Sequence, residues 1–560
     1  MAPVVFPNPV SYVAVAAPVL HVAAVVYLTY TVVTSLATSY RALGPPQDTR
    51  SRQGRRSKLV PVFAALAVLA VTVASSSAAD GAILSYRVWA DQRGLKAPPS
   101  WYPHKNSLGH KDTELYLGQW LSDTPVYRDT LEIVAERSRR FWWGQQIDLA
   151  TVAWSSFVAV EGRRRGIRNL PSFLTLAHLV NLSYAQNLFY LALLVTPSPL
   201  ATNHQDLVFP SNPLPRWRRI RSRLFASKPN AWHPRPFIFY SSLILGLGSV
   251  FLLPYAAGTP SFAAVALLSR ASTFIPVLAP YLVPTSWGKV YATPHEAYSS
   301  LTTMFRFISA MSLILHAKAS AVGLAHNAPD SHYHRHSAFL PWDIDERSKW
   351  ERGTTAIGKI LGSISDHPAV QAVGFDVLVS AFSLGVWAAT RAADVRRILA
   401  SAIPGVSAGH DGKEPVPAAN TSSNPDAVVS QGSDNNSNNN EEEATPARRR
   451  RQTRASTSKS TQEEAHIPGA PRPRKGRSSQ RALASVPHDN SNNSNGDVSS
   501  ETADQAYEPS PAEAAALQEG DILPAEELDW EAGALAWGLT ALLGLGSASS
   551  GVFGAECTAR

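Results

Sequence analysis

The sequence is poor in cysteine and in charge. Its 560 residues include one cysteine, Cys557, which excludes a disulfide framework and a cysteine metal cluster. Only 17% of the residues are charged, whereas 45% are hydrophobic. This is too little charge for a soluble chain so large and so apolar, and it points to a membrane protein.

Three motifs of soluble enzymes are also missing. The chain has no Asp-Asp-x-x-Asp motif for diphosphate ionisation, no glycine-rich phosphate loop and no serine nucleophile elbow. Ordinary prenyl-diphosphate chemistry, nucleotide use and esterase activity are therefore disfavoured. The stretch Asp343 to Glu346 is similar to the acid motif of soluble class II terpene cyclases, but it ends in glutamate beside Lys349 and Arg352, which favours a charged surface turn.

Long apolar runs fill much of the chain. A helix needs about 20 mostly apolar residues to cross the hydrocarbon core of a bilayer, and about nine segments meet that length. We therefore predict an all-α fold, a polytopic transmembrane helix bundle of about nine spans. The predicted spans are Val10 to Ser39, Val60 to Ala79, Phe141 to Val160, Leu170 to Val195, Phe237 to Ala257, Ser261 to Val283, Leu301 to Leu324, Ala369 to Thr390 and Ala532 to Phe553.

A polar stretch with a different composition precedes the last span. Ser401 to Asp529 is rich in Asn, Ser, Glu, Pro and Arg, and it cannot bury enough apolar surface to offset the entropy lost on ordering. The predicted organisation is two N-terminal transmembrane helices and a polar loop in 1–115, a transmembrane core in 116–400, a disordered polar insert in 401–530 and a C-terminal transmembrane helix in 531–560.

The basic residues lie between the apolar runs and in the insert. The formal charge of +8 is therefore better explained by membrane edges than by a nucleic-acid partner. Basic loops follow the first span (Arg50 to Lys58), the third (Arg163 to Arg165) and the fourth (Arg216 to Arg223). Alternate crossing cannot place all three in the cytoplasm, so the orientation stays open. Glycosylation would place the insert in the lumen if it occurred at the sequons Asn420, Asn435 and Asn492.

Two aspartates lie within predicted spans, where ionisable side chains are costly and mark functional sites. Asp148 belongs to the third span and Asp376 to the eighth. A carboxyl group in an apolar site can stay neutral near pH 7 and protonate a weakly basic oxygen, so both are candidate catalytic acids. Alternatively, each pairs with another helix through Arg270 or Arg306.

Further polar and aromatic side chains in the third and fourth spans are candidates to line a substrate cavity. The alternative for the amides is hydrogen bonding between helices. Trp142 and Trp143 are expected to anchor a span end at the interface, with Trp154 inside. The candidate cavity residues are Gln145, Trp154, His178, Asn181, Gln186 and Asn187.

A metal site is not expected. His332, His334 and His336 alternate, so an extended backbone would place them on one side, but no fourth ligand is evident and their setting is a solvated loop.

Several strings in the chain resemble the fungal membrane-bound terpene cyclases of ascofuranone-type and indole-diterpene-type biosynthetic clusters. The resemblance covers most of Tyr116 to Thr390. It rests on Leu117 to Thr124, Phe141 to Gln146, Ala185 to Phe189, His334 to Ser337 and Ser365 to Val370.

The resemblance implies cyclisation of a prenylated lipophilic substrate in fungal secondary metabolism, begun by protonation of an epoxide or alkene. Asp148 or Asp376 would donate the proton, Trp142, Trp143 and Trp154 would stabilise carbocations, and no cofactor would be needed. The partners would be this substrate and the lipid bilayer, with residence in the endoplasmic reticulum.

Two other functions remain open. A multi-pass transporter would use the same polar side chains to line a solute route, although the sequence shows no internal repeat and no paired broken helices. A non-catalytic scaffold would hold other biosynthetic enzymes at the membrane through the insert.

Overall fold

The structure, a computed structural model, describes residues 9–42, 50–95, 115–196, 232–290, 295–334, 344–391, 394–406 and 528–558, and in these ranges it is mostly helical. Two short antiparallel hairpins accompany the helices. The helices are α1 (Tyr12–Ala42), α2 (Arg50–Gln92), α3 (Leu117–Asp123), α4 (Val126–Ala135), α5 (Ser138–Arg164), α6 (Leu170–Leu179), α7 (Leu182–Val195), α8 (Pro236–Ala256), α9 (Phe262–Leu282), α10 (His295–Asn327), α11 (Lys349–Gly362), α12 (Pro368–Arg391), α13 (Val395–Ala402), α14 (Trp530–Leu543) and α15 (Leu545–Thr558). The strands are β1 (Trp232–Pro234), β2 (Gly288–Val290), β3 (His332–His334) and β4 (Ile344–Glu346), pairing β1 with β2 and β3 with β4.

Six of these helices are long and apolar enough to cross a membrane, namely α1, α2, α8, α9, α10 and α12. Many of their apolar side chains are exposed on the outside of the bundle, as those of Leu267 and Ile244 are. The length and composition of these six helices indicate a helical membrane protein.

Helix α5 is the polar centre of the bundle. It has 27 residues, and nearly every side chain from Phe141 to Gly162 is buried. It contacts α8, α9, α10, α12 and α15. Because other helices surround it, α5 can carry glutamine, serine and aspartate where a lipid-facing helix could not.

Four helix C-termini meet at one end of the bundle, which we call the arginine end. The Arg165 guanidinium, at the end of α5, donates to the carbonyl of Leu193 in α7 at 2.8 Å and lies 3.4 Å from the Glu556 carboxylate in α15. Arg391, at the end of α12, lies 2.7 Å from the same carboxylate. Cations suit this position because helix C-termini carry partial negative charge.

The opposite end of the bundle contains the start of α5. Arg139 is 2.8 Å from the Asp366 carboxylate, just before α12 begins. Asn327, the last residue of α10, donates to the Ser138 hydroxyl at 3.4 Å. A helix that runs between these two ends therefore crosses the whole bundle.

The predicted fourth span is not one helix but a helical hairpin. Its first helix, α6, starts with Leu170 packed on Gly162, and its second, α7, ends where Arg165 binds Leu193. Both ends thus lie at the arginine end. The helix breaks because Asn181 is extended, with φ −168° and ψ 166°, and caps α7 by accepting the Tyr184 N–H at 3.0 Å.

The predicted ninth span is a second hairpin that enters from the same end. Before α14, the Asp529 N–H donates to the Ala389 carbonyl at 3.0 Å, and after the turn α15 ends with the Cys557 carbonyl accepting from Arg164 at 3.0 Å. The turn is at Gly544, whose φ of 84° and ψ of 161° suit glycine almost alone. Continuous helices over 170–195 and 532–553 are therefore corrected to hairpins. Of the predicted insert, residues 407–527, including all three sequons, lie outside the described residues.

We predict that Gly544→Ala destabilises the protein by about 2 kcal/mol or more, since the backbone conformation there costs about 1–3 kcal/mol for other residues. A methyl group would also meet the His316 ring at 2.8 Å. The matched control is Gly538→Ala in α14, where nothing lies within 4 Å of the added carbon. Thermal unfolding in detergent measures both, and equal stability of the two variants would contradict the account of the turn.

Candidate functional site

Asp148 lies in the middle of α5 and is half-buried. None of the described residues donates a hydrogen bond to its carboxyl group, and the charge that acts on it belongs to Arg270 of α9. The structure thus brings Asp148 to one of the two arginines that the sequence offered as partners. The other, Arg306, is committed elsewhere, since its guanidinium donates to the Ala400 carbonyl at 2.7 Å.

A histidine completes this polar group. His178, near the end of α6, has its Nε2 2.9 Å from the Thr273 hydroxyl of α9, and its ring lies 5.6 Å from that of Phe274. Arg270 also acts electrostatically on His178. We call Asp148, His178, Arg270 and Thr273 the α5–α6–α9 cluster, and it combines an acid, an imidazole and a cation on three packed helices.

Asp376 has a different environment from Asp148. Its two carboxylate oxygens accept the backbone N–H groups of Leu182 at 3.0 Å and Ser183 at 2.7 Å. These are the first N–H groups of α7, which no carbonyl within that helix can accept. Asp376 therefore caps a helix that begins inside the bundle, where an unpaired N–H would be costly.

The predicted cavity amides of the fourth span bind protein atoms. Asn181 donates to the Ala70 carbonyl of α2 at 3.1 Å in addition to capping α7. Gln186 donates to the Tyr190 hydroxyl at 2.6 Å, and Asn187 donates to Ser383 of α12 at 2.9 Å. The bonds of Asn181 and Asn187 join different helices, whereas the Gln186 bond lies within α7. Their role toward a substrate stays a prediction.

Gln145 lines a cavity of about 430 Å³ at the end of the bundle opposite the arginine end. The cavity lies between the start of α5, the end of α8 and the end of α10, and its wall includes Phe141, Val250 and Leu315. The other five predicted cavity residues and the two aspartates do not line it.

The tryptophans of α5 are packed inside the protein. Trp154 is fully buried and meets Phe189 edge to face at 6.1 Å. Trp143, which we expected at the interface, is only 6% exposed and donates to the Ile360 carbonyl at 3.1 Å. The half-buried Trp142 donates to Ser320 at 3.0 Å. Both side chains therefore bind α5 to neighbouring helices, and the burial of Trp143 corrects its interfacial interpretation.

The buried ion pairs of the arginine end were missed in the sequence. Glu161, fully buried, lies between Arg164 and Arg165, and Arg165 links it to Glu556. The run Glu161 to Arg165 looked like a span edge, because a charged run after an apolar helix usually meets water. The spacing of these residues could have indicated the ion pairs, because an acid and a base three or four residues apart lie on one helix face.

A histidine, His367, immediately precedes α12 at the opposite end of the bundle. Burial lowers the pKa of His367, and the positive charge of Arg140 lowers it further against the smaller opposing effect of Glu136. An unprotonated Nδ1 is required there, because it accepts the Ala369 N–H at 3.0 Å.

Within the ranges the structure describes, no group of three His, Cys, Asp or Glu side chains is placed to hold a metal ion. The side chains of His332 and His334, and all of His336, lie outside the described residues.

No protein-family model, no curated protein and no solved structure matches this chain.

We predict that Asp376→Asn destabilises the protein by about 1.5–3 kcal/mol, the range for a hydrogen bond to a charged group. Asparagine keeps one acceptor oxygen but turns an amide NH₂ toward a backbone N–H of α7. The matched control is Ser380→Ala, which removes only a 3.5 Å contact to the same carboxylate. Thermal unfolding in detergent is the measurement, and a loss no greater than that of the control would exclude the cap.

Proposed function

We propose that the chain crosses the membrane seven times and carries two hairpins that enter from one side. The six candidate spans together with α5 make the crossings, and α6–α7 and α14–α15 make the hairpins. Support comes from the contacts of both hairpins with the arginine end, since a segment that starts and finishes at one end has not crossed.

This topology supports a cytoplasmic arginine end. The residues that flank the second basic loop, Arg165 and Leu170, lie at that end, as do Thr196 and Trp232, which flank the third. With the fourth span counted as a hairpin, all three basic loops fall on one side, as positive-inside placement requires. Residence in the endoplasmic reticulum membrane is part of the same proposal.

The orientation is tested by single cysteines, because the native Cys557 is buried. Lys289→Cys lies in β2 near the arginine end and Lys359→Cys lies in α11 at the opposite end, and both lysines are exposed. In sealed microsomes with the cytoplasmic face outward, an impermeant maleimide should label the first at once and the second only after detergent. The reverse order would invert the orientation, and immediate labelling of both would remove the crossings.

We further propose that the protein cyclises a prenylated lipophilic substrate and that Asp148 is its proton donor. One observation carries this choice of acid: the Asp148 carboxyl group accepts no hydrogen bond from the described residues, whereas the Asp376 carboxylate is occupied by α7. An acid must have an accessible oxygen to reach a substrate. The resemblance in the sequence gives the reaction class.

The proposed reaction is an isomerisation that needs no oxidant. The Asp148 proton moves to the epoxide oxygen, a C–O bond breaks, and alkene π electrons close the ring on the resulting carbocation. The final carbocation loses a proton to the His178 imidazole, which gives an alkene and an alcohol. Arg270 can stabilise the carboxylate left on Asp148, and the Trp154 face can stabilise positive charge in a dry site.

A second candidate is transport, which the hairpins favour. Transporters often bind solutes where helices break inside the membrane and expose helix ends. The break before α7 is saturated by Asp376, and the Leu545 N–H at the second break donates to Gln146 at 3.2 Å. Because protein groups already occupy both helix ends, cyclisation is our first proposal.

We predict that Asp148→Asn lowers turnover by about 10²-fold or more, since general acid catalysis contributes that much. Microsomes containing the protein are incubated with an epoxyfarnesyl or epoxygeranylgeranyl aromatic compound, and cyclised product is measured by mass spectrometry. The matched control is Asp80→Asn, an exposed aspartate of α2. Asp376→Asn should reduce the amount of folded protein rather than turnover per folded molecule.

Unchanged turnover in Asp148→Asn would remove the proposed acid. Absence of product from the wild type with any prenylated epoxide, combined with uptake of the compound into sealed vesicles, would favour transport. A scaffold is tested by deleting residues 414–507, a stretch that spares Asp529 and its contact with α12. A cyclase should keep its turnover after this deletion.

A further inference from the structure

The cavity between α5, α8 and α10 contains a buried donor that has no acceptor. Gln145 is 2% exposed, lines the cavity, and its Nε2 has no hydrogen-bond partner among the described residues. A buried amide N–H without an acceptor costs free energy, so such groups mark sites where a ligand or water binds.

A second donor in the cavity is a cation. The Lys318 ammonium of α10 lies 3.8 Å from the Phe251 ring centre and 4.5 Å from that of Tyr255. Within the described part of the chain no carboxylate lies within ion-pair distance of it. The two rings hold the ammonium on one side by cation–π attraction and leave its other N–H groups for an anionic oxygen.

The other charges around the cavity are paired. Arg139 binds Asp366 at 2.8 Å, and Arg137 lies 3.5 Å from Glu136. The His326 Nδ1 is 2.9 Å from the Val322 carbonyl. Lys318 therefore gives the cavity an uncompensated positive charge, and the unpaired Gln145 amide lines the same cavity.

The remaining wall of the cavity is apolar. Phe141, Val250, Pro254 and Leu315 contribute to it, and the volume of about 430 Å³ is within the usual range for small-molecule sites. The site therefore has a positively charged part that is rich in hydrogen-bond donors and an apolar part that can contact a hydrocarbon chain. It lies at the end of the membrane-crossing helices α8 and α10.

We propose that this cavity binds an amphiphile with an anionic oxygen head and an apolar tail, the head on Lys318 and Gln145. Two sources offer that chemistry, a membrane lipid with an acidic head group and a prenylated acid of the proposed substrate class. The binding site does not depend on the proposed cyclisation, because it shares no residue with the α5–α6–α9 cluster.

The test uses purified full-length protein in phosphatidylcholine nanodiscs and a photoreactive oleic acid as probe. We expect labelling of α8 and α10, with affinity for oleic acid lowered about tenfold or more in Lys318→Gln and in Gln145→Leu, and largely retained in Lys318→Arg. The matched control Lys359→Gln changes an exposed lysine at the same end of the bundle and should bind like the wild type. Size-exclusion profiles check that each variant is folded.

A neutral probe and two competitors decide the ligand class. Binding of photoreactive oleyl alcohol should be unaffected by Lys318→Gln. Competition by phosphatidate assigns the site to a lipid head, and competition by a farnesylated benzoic acid assigns it to a prenylated acid. Affinity for oleic acid unchanged in Lys318→Gln, or lowered equally for the neutral probe, would overturn the proposal even if the cyclisation assay succeeded.

Discussion

The bundle depends on supplying hydrogen-bond partners to helix ends that lie inside it. A helix that stops away from water leaves up to four N–H groups at its start and four carbonyls at its end without partners. Here the partners come from other helices: Asp376 and Gln146 accept at the two inner starts, and Arg164 and Arg165 donate at the ends of α15 and α7. Each hairpin is thus fixed at its turn and at its exit.

This arrangement explains why α5 is polar. Gln146, in the first half of α5, binds the α14–α15 hairpin, and Arg165, at the C-terminal end of α5, binds the α6–α7 hairpin. The Glu161 carboxylate balances the charge of Arg165. Buried arginines and glutamates cost much desolvation energy unless their hydrogen bonds are satisfied, and here backbone carbonyls and opposite charges satisfy them. The polar and charged side chains that make α5 less apolar than the six candidate spans are the same ones that bind the two hairpins.

The helical class and the positions of the long apolar helices could be predicted from the sequence, because lipid requires about 20 apolar residues per crossing. Hydropathy does not record direction, so it cannot distinguish a crossing helix from two helices that turn back. Local signals at the turns were present: Asn181 is a favoured N-cap, and Gly544 is the residue that positive φ requires. For the site, the sequence named Asp148, Arg270 and His178, but only packing could show that Arg270 acts on both of the other two.

Asp148 and Asp376 show why residue type and membrane depth are insufficient to assign a catalytic acid. Both are aspartates within segments that the sequence predicts as spans, and the sequence treats them alike. Two backbone N–H groups occupy both carboxyl oxygens of Asp376, and the protonated state that a proton donor needs would turn one of these acceptors into a hydroxyl group. Asp148 has a guanidinium as its charged neighbour instead, and the same guanidinium acts on the His178 imidazole, which suits a group that changes its charge during a reaction. The donors around a carboxyl group, rather than its burial, therefore separate the structural acid from the candidate catalytic one.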